Sequence, residues 1–414
     1  MQNGQGMSGA VGARLSVMMF IQFLIWGAWY VTAPRVLGPL GFSGGDLGWT
    51  YSVGPLAGII SPLFVGMIAD RFFATKYVLA AMHLGAAGAM CLAITLMNAT
   101  EPNPALINAV FFLHMLCYFP TLALANTIAM QNMTDSEKQF PFIRVFGTIG
   151  WIVAGLLLDK VFGWATSMGM FYLAAGAGFV LGAYSLTLPY NPPPSAGRAF
   201  RVAEAFGLDA LGLLKKPSFL VFMLSSFLIC IPLAFYYQMA ERTLGAGEVA
   251  APAFKMTFGQ MSEVVFLLLM PLFFARFGVK RVLLIGMIAW AVRYGLFAIG
   301  ASYAAAWIIL PGIMIHGICY GFVYVAGQIY IDKKAPVTIR AQAQGLFVLV
   351  TYGLGQGLGT LVAGWIFNRV VTGGTLPEWQ IFWIVPLAFA TVVTIVFAMF
   401  FREDVAVGES AAPA

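Results

Sequence analysis

Apolar positions in this chain come in long, nearly unbroken runs, and few stretches show the short periods of half-buried helices or strands. Twelve runs stand out, at roughly 15–38, 47–69, 77–98, 105–130, 141–158, 164–188, 217–238, 253–275, 282–299, 305–331, 341–368 and 379–401. Each is long enough to cross a ~30 Å hydrocarbon core as a helix rising ~1.5 Å per residue. The one long polar interval is 189–216, "PYNPPPSAGRAFRVAEAFGLDALGLLKK", which follows six runs and precedes six. Pro192, Pro193 and Pro194 end the sixth helix there, because proline lacks an amide donor and restricts the residue before it. The next residues, "AFRVAEAFGLDALGLL", place apolar side chains at a helical period and predict a short amphipathic helix on the membrane surface. The pattern predicts an all-α membrane protein of twelve transmembrane helices in two six-helix bundles. Residues 1–188 form the first bundle, 189–216 the linker, 217–403 the second bundle and 404–414 a short tail.

Composition agrees with a lipid-facing surface. The 414 residues are 61% hydrophobic and 9% charged, with mean hydropathy +0.88. A soluble domain carries about 25% charged residues, so this chain cannot cover itself with a polar skin. The net charge of +6 is topological. With the N-terminus inside, only Arg35, Lys160, Arg242, Lys255 and Arg369 fall outside, Arg144 and Arg293 lie within runs, and the other fifteen bases face inward. This asymmetry puts both termini in the cytoplasm and leaves no basic patch for a nucleic acid. The four cysteines all sit in apolar runs without metal-ligand spacing and read as packing. The start, "MQNGQGMSGAVGA", lacks the charged region of a cleaved leader. No P-loop or HExxH is present, which argues against a zinc hydrolase or an ATP-driven pump.

The halves echo each other: "GMIADRFFATKYVL" after the second run and "FFARFGVKRVLLIG" after the eighth both pass from an apolar helix end through Arg-Phe to a basic cluster. Six plus six with parallel repeats is the layout of major facilitator transporters. Asp70, Arg71 and Lys76 look like that superfamily's cytoplasmic signature, which implies a gate at this end.

Charges at mid-membrane cost about 2.5–3.5 kcal/mol each and therefore need a reason. Glu263, in "FGQMSEVVFLLLMPLFF", is the one acid deep within a run, and Gln260 lies one turn before it on the same face. It is the candidate proton carrier or substrate ligand, with Arg293 or Arg144 as its intramembrane charge partner. Arg144, Thr148 and Trp151 share a face at i, i+4 and i+7, and Gln22, Trp26 and Trp29 repeat that spacing. His316, Tyr320, Tyr324 and Gln328 form a slower stripe in the tenth run, with Tyr118, Thr121, Asn126, Gln344 and Gln356 as further polar positions. Such amides, hydroxyls and flat rings suit a neutral polar substrate with a stackable face.

The strings "FIRVFGTIGW", "YFPTLALANTI", "FGQMSEVVF", "AWAVRYGLFA", "HGICYGFVYVAGQIYIDKK" and "IRAQAQGLF" resemble the nucleoside:proton symporter family of the major facilitator superfamily, from about Gln22 through the eleventh run. The resemblance implies a nucleoside site formed by Arg144, Thr148, Gln260, Glu263 and Tyr320, with Trp151 replacing the family's phenylalanine. It also implies departures: Gly321 stands where nucleoside members carry an intramembrane aspartate, Tyr237 where an asparagine occurs, and His316 where a tyrosine can occur. The expected function is proton-coupled symport of nucleosides or similar polar molecules by alternating access, with Glu263 carrying the proton. Open alternatives are the same fold moving a sugar, glycoside or other metabolite with altered coupling, and a transceptor without turnover. The expected partners are the substrate, protons and lipid, with no cofactor or metal. The expected state is a monomer in the cell (inner) membrane.

Overall fold

A computed structural model describes residues 8–30, 32–196, 208–247, 252–303 and 306–402. Every regular element among them is helical. The N-terminal part contains α1 (Gly9–Trp29), α2 (Ala33–Leu37), α3 (Gly44–Arg71), α4 (Thr75–Met97), α5 (Pro104–Gln131), α6 (Ser136–Leu156) and α7 (Gly169–Ser185). The C-terminal part contains α8 (Leu208–Leu211), α9 (Pro217–Ala246), α10 (Pro252–Ser302), α11 (Ala306–Met314), α12 (His316–Tyr320), α13 (Ala326–Lys334), α14 (Arg340–Val348), α15 (Gln356–Val370) and α16 (Leu376–Phe400). In lipid every backbone N–H and C=O must find its partner inside the protein, and uninterrupted helices achieve this.

Among the described residues nine helices are long and apolar enough to span a bilayer, or ten with the bent pair Asp46–Ser61 and Phe64–Arg71 counted as one. One of the nine, Lys255–Ala301, has 47 residues and turns back at Gly278, whose φ of 71° breaks α10 into two arms. The first apolar run differs from its expected limits. Its helix starts after the Ser8 cap, ends at Trp29, and Pro34 opens the separate short helix α2. Most of the linker helix expected at 199–214 lies outside the described residues; only its end, Leu208–Leu211 and Gly212–Lys215, is seen as short helical turns.

Helices before the linker pack on one another, α1 on α6 and α7 and α5 on α3 and α4. Those after it do likewise, with α10 on α16, α11 and α12, and α9 on α15 and α16. The two groups meet along α6–α10 and α3–α14. Outward faces carry Leu272, Leu361, Val392 and Phe400, each more than half exposed, as a lipid-facing surface requires.

The groups are drawn together at the end that carries Asp70. Its carboxylate accepts the backbone N–H groups of Gln342 (2.9 Å) and Ala341 (3.3 Å), capping the start of α14. Ser195 Oγ donates to the Thr338 carbonyl at 2.7 Å, and Lys333 Nζ lies 2.6 Å from Glu137 Oε1. Lys76 contributes differently, donating to the carbonyls of Leu186 and Leu188 beyond α7, within its own half. Arg71 is buried beside Phe72. Midway along α3, Gly353 touches Gly58: a Cβ at 353 would stand 2.9 Å from the backbone of Gly58 and Ile59. Only a residue without a side chain permits that approach.

Candidate functional site

Between the two groups of helices lies a cavity of about 580 Å³. From α3 it takes Gly48, Tyr51 and Pro55, from α1 Phe23, Trp26 and Tyr30, and from α9 Tyr237, Gln238 and Arg242. All come from helix segments remote from Asp70, so the cavity reaches from the middle of the molecule toward the opposite end.

Its floor is polar. Arg144, Thr148 and Trp151 line it from one face of α6, Gln260 and Glu263 from α10, and His316 and Tyr320 from α12. Thr148 Oγ1 donates to Glu263 Oε1 at 2.7 Å, a buried bond joining the two groups of helices. Arg144 Nη2 donates to Tyr320 Oη at 3.3 Å, Tyr320 and Tyr352 share a 2.5 Å hydrogen bond, and the Arg144 guanidinium lies 4.1 Å over the Phe23 ring. Glu263 is the one acid lining the cavity among the described residues. Its second oxygen, Oε2, stands 4.0 Å from His316 Nε2. Aromatic walls complete the site, with Trp26 edge-on to Trp151 at 5.5 Å and to Tyr352 at 6.4 Å. Carboxylate, guanidinium, hydroxyl and amide groups beside flat rings can hold a hydroxyl-bearing molecule with a planar ring.

Of the residues expected to bind substrate, Arg144, Thr148, Trp151, Gln260, Glu263, Tyr320, Trp26, His316 and Tyr237 all line this cavity. Gln22 does not. It is fully buried behind Trp26, where Nε2 donates to Thr121 Oγ1 at 2.7 Å and Oε1 lies 2.8 Å from His83 Nε2. Trp29 is likewise turned into the core, stacked on Phe111. The helical phase of α1 instead presents Phe23, Trp26 and Tyr30. Tyr324, within the π-turn Gly321–Val325 that widens the helix by a residue, turns from the cavity to Cys230 Sγ (2.7 Å). Sequence reasoning missed Tyr352 and Thr360, although with Gln356 they lie four residues apart, a readable stripe.

Arg144 reaches Glu263 through its field rather than by direct contact. Arg293 is no partner of Glu263. It is fully buried, with its Nε donating to the Gly312 carbonyl (3.0 Å) and its guanidinium between Tyr236 (4.1 Å) and Trp290 (4.7 Å). Gly321 also faces away from the cavity. A Cβ there would meet Met270 and Leu267, an apolar pair that gives a carboxylate no partner.

With this geometry established, the chain can be placed among known proteins. The family model "Nucleoside H+ symporter" matches residues 9–406. The chain is 40% identical to YegT of Escherichia coli (strain K12) over 406 residues, covering 95% of this chain and 94% of that protein. It is 31% identical to the xanthosine permease of the same organism, with 95% and 97% covered, and 30% identical to its nucleoside permease NupG, with 94% and 95% covered. A crystal structure of a mutant of the nucleoside transporter NupG superposes with a TM-score of 0.72 at 28% identity, covering 95% of this chain and all of that one. The fucose:proton symporter of E. coli superposes with a TM-score of 0.71 at 14% identity, a likeness of fold alone.

Proposed function

The chain belongs to the nucleoside H+ symporter family, and from that premise we propose that it carries nucleosides, with protons, by alternating exposure of the Glu263 cavity. It is a multi-pass membrane transporter of the major facilitator fold and not an enzyme. We assign it twelve spans. α7 is the shortest, the two arms of α10 count separately, and the bent α3 counts once. The Asp70 end is assigned to the cytoplasm and the cavity mouth to the outside of the inner membrane.

The observation that carries the reading is the Thr148–Glu263 hydrogen bond (2.7 Å) at the cavity floor. It places the one cavity acid on the seam where the two groups of helices must part. In the proposed cycle a proton and a nucleoside enter from outside. Ribose hydroxyls bind Thr148, Glu263 and Gln260, and the base lies against Trp151 and Tyr320. The halves then rock about the site, opening the Asp70 end. Moving a proton down its gradient with the cargo concentrates the cargo without ATP.

The test is uptake of labelled uridine and adenosine into proteoliposomes, with an acid exterior and with no gradient. The expected result is accumulation only with the gradient, and Glu263→Gln retaining exchange but losing accumulation. Equal uptake with and without the gradient rejects coupling. Inhibition by sugars but not by nucleosides rejects the cargo.

A further inference from the structure

We propose that His316 is the second proton-bearing group of the cavity, acting as a pair with Glu263. The proposal rests on the proton-coupled reading above and deepens it. His316 is almost fully buried, its Nδ1 has no hydrogen-bond partner among the described residues, and its Nε2 stands 4.0 Å from Glu263 Oε2. Aromatic faces fix the ring: Tyr236 stacks on it at 5.3 Å and 20°, Tyr320 at 5.8 Å and 22°, and Tyr237 meets it edge-on at 6.2 Å. Close packing of Gly259 against the His316 Cβ holds α12 to α10.

The groups around His316 decide what the pair can do. From α10 it faces Glu263, and the Arg293 guanidinium lies 4.1 Å over the Tyr236 ring that stacks on it, with two nitrogens lacking hydrogen-bond partners among the described residues. From α9 come the phenols of Tyr236 and Tyr237, from its own helix Tyr320, and past Tyr320 the Arg144 guanidinium of α6. With Arg293 as a like charge nearby, an imidazolium at His316 depends on the Glu263 carboxylate facing it. Tyrosine and arginine do not change charge near neutral pH, so Glu263 and His316 are the groups lining the cavity that can exchange protons there.

The geometry also links the pair to cargo. Thr148 holds Glu263 Oε1 by its 2.7 Å hydrogen bond. A cargo hydroxyl that engages Thr148 frees the Glu263 carboxyl to close the 4.0 Å gap. The Oε2–H bond then breaks as Nε2–H forms, leaving a carboxylate that accepts from the cargo and an imidazolium beside it. The Nε2–H bond then breaks, its proton passing to water when the opposite side opens, and His316 returns to the neutral Nδ1–H ring that can accept the next proton from Glu263. One proton enters and one leaves, and no other reactant is needed.

Reciprocal titrations of the purified full chain in lipid nanodiscs, without cargo, test the pair. The carboxyl infrared band that Glu263→Gln removes is followed against pH in wild type and His316→Gln. The His316 imidazole ¹⁵N resonance, one of three histidines, is followed in wild type and Glu263→Gln. The proposal expects each midpoint to move by about one pH unit or more, a tenfold change in proton affinity, and by the same amount in both directions. Unmoved midpoints overturn it. Because the two halves use different variants, misfolding of His316→Gln leaves the imidazole titration to decide. In proteoliposomes, His316→Gln is expected to lose at least tenfold in gradient-driven accumulation, measured relative to the same variant's gradient-free exchange. Wild-type accumulation in that variant also overturns the pairing. Absence of nucleoside uptake by wild type sinks the transport reading and leaves the titrations to judge the pair.

Discussion

At the scale of single residues, the site combines charges that need partners with rings that need none. Trp151 shows the second kind. Its ring lines the cavity half-buried, braced edge-on by Trp26, with a face free to meet a base. Stacking on an aromatic ring is worth about 1–3 kcal/mol per base, so Trp151→Ala is expected to weaken nucleoside binding by roughly 5- to 150-fold. Trp151→Phe should recover most of that, and calorimetric titration with adenosine measures both. Equal affinity of Trp151→Ala and wild type would remove Trp151 from the site. The α6 triplet was legible because one helical face carries Arg144, Thr148 and Trp151 wherever that helix packs. The α1 triplet was read one residue out of phase: Gln22, Trp26 and Trp29 fit the spacing as well as Phe23, Trp26 and Tyr30. Only packing against α5 and the bond to His83 shows which set faces inward.

At the scale of elements, two of the three π-turns among the described residues lie where the site is built, while the third, Leu157–Val161, lies away from the cavity. The π-turn Gly321–Val325 follows Tyr320, and the π-turn Leu349–Gly355 contains Tyr352. Each added residue shifts the helical phase, and Tyr320, just before the first turn, lines the cavity while Tyr324, within it, does not. No periodicity reading reveals such an insertion, because the sequence on either side remains helical in pattern. The second π-turn also carries Gly353, which closes the seam against Gly58. Gly353→Val forces backbone apart at a cost of about 1–3 kcal/mol, and so is expected to shift the population away from the form closed at the Asp70 end. The check is maleimide labelling of Gln342→Cys, a nearly buried position, in a background without the four native cysteines. Labelling several-fold faster with Gly353→Val is expected; an unchanged rate shows that the seam does not gate.

At the scale of the whole molecule, the proposed alternating access requires that closing contacts be individually weak and jointly sufficient. The Asp70 end meets that requirement with a helix cap, a hydroxyl-to-carbonyl bond and the Lys333–Glu137 ion pair. A cap is worth about 1 kcal/mol, so Asp70→Ala should shift the equilibrium roughly fivefold toward opening at this end. Distances between spin labels on α3 and α14 read that population directly. An unaltered distance distribution would limit Asp70 to a structural role.

By itself the sequence determined the solvent, the helical class, the family and most of the cavity floor. Solvent and class follow from run length and composition, the floor from side chains one turn apart on a single helix, and the family from the resemblance of its motif strings. Tertiary structure decided the rest. It turned Gln22 into the core, left Arg293 between Tyr236 and Trp290, set Gly321 against Leu267 and Met270, and brought His316 to 4.0 Å from Glu263. Each depends on the rotation of one helix about its axis relative to another. The packing of the whole bundle sets that angle, and the pattern along a single strand of sequence does not encode it.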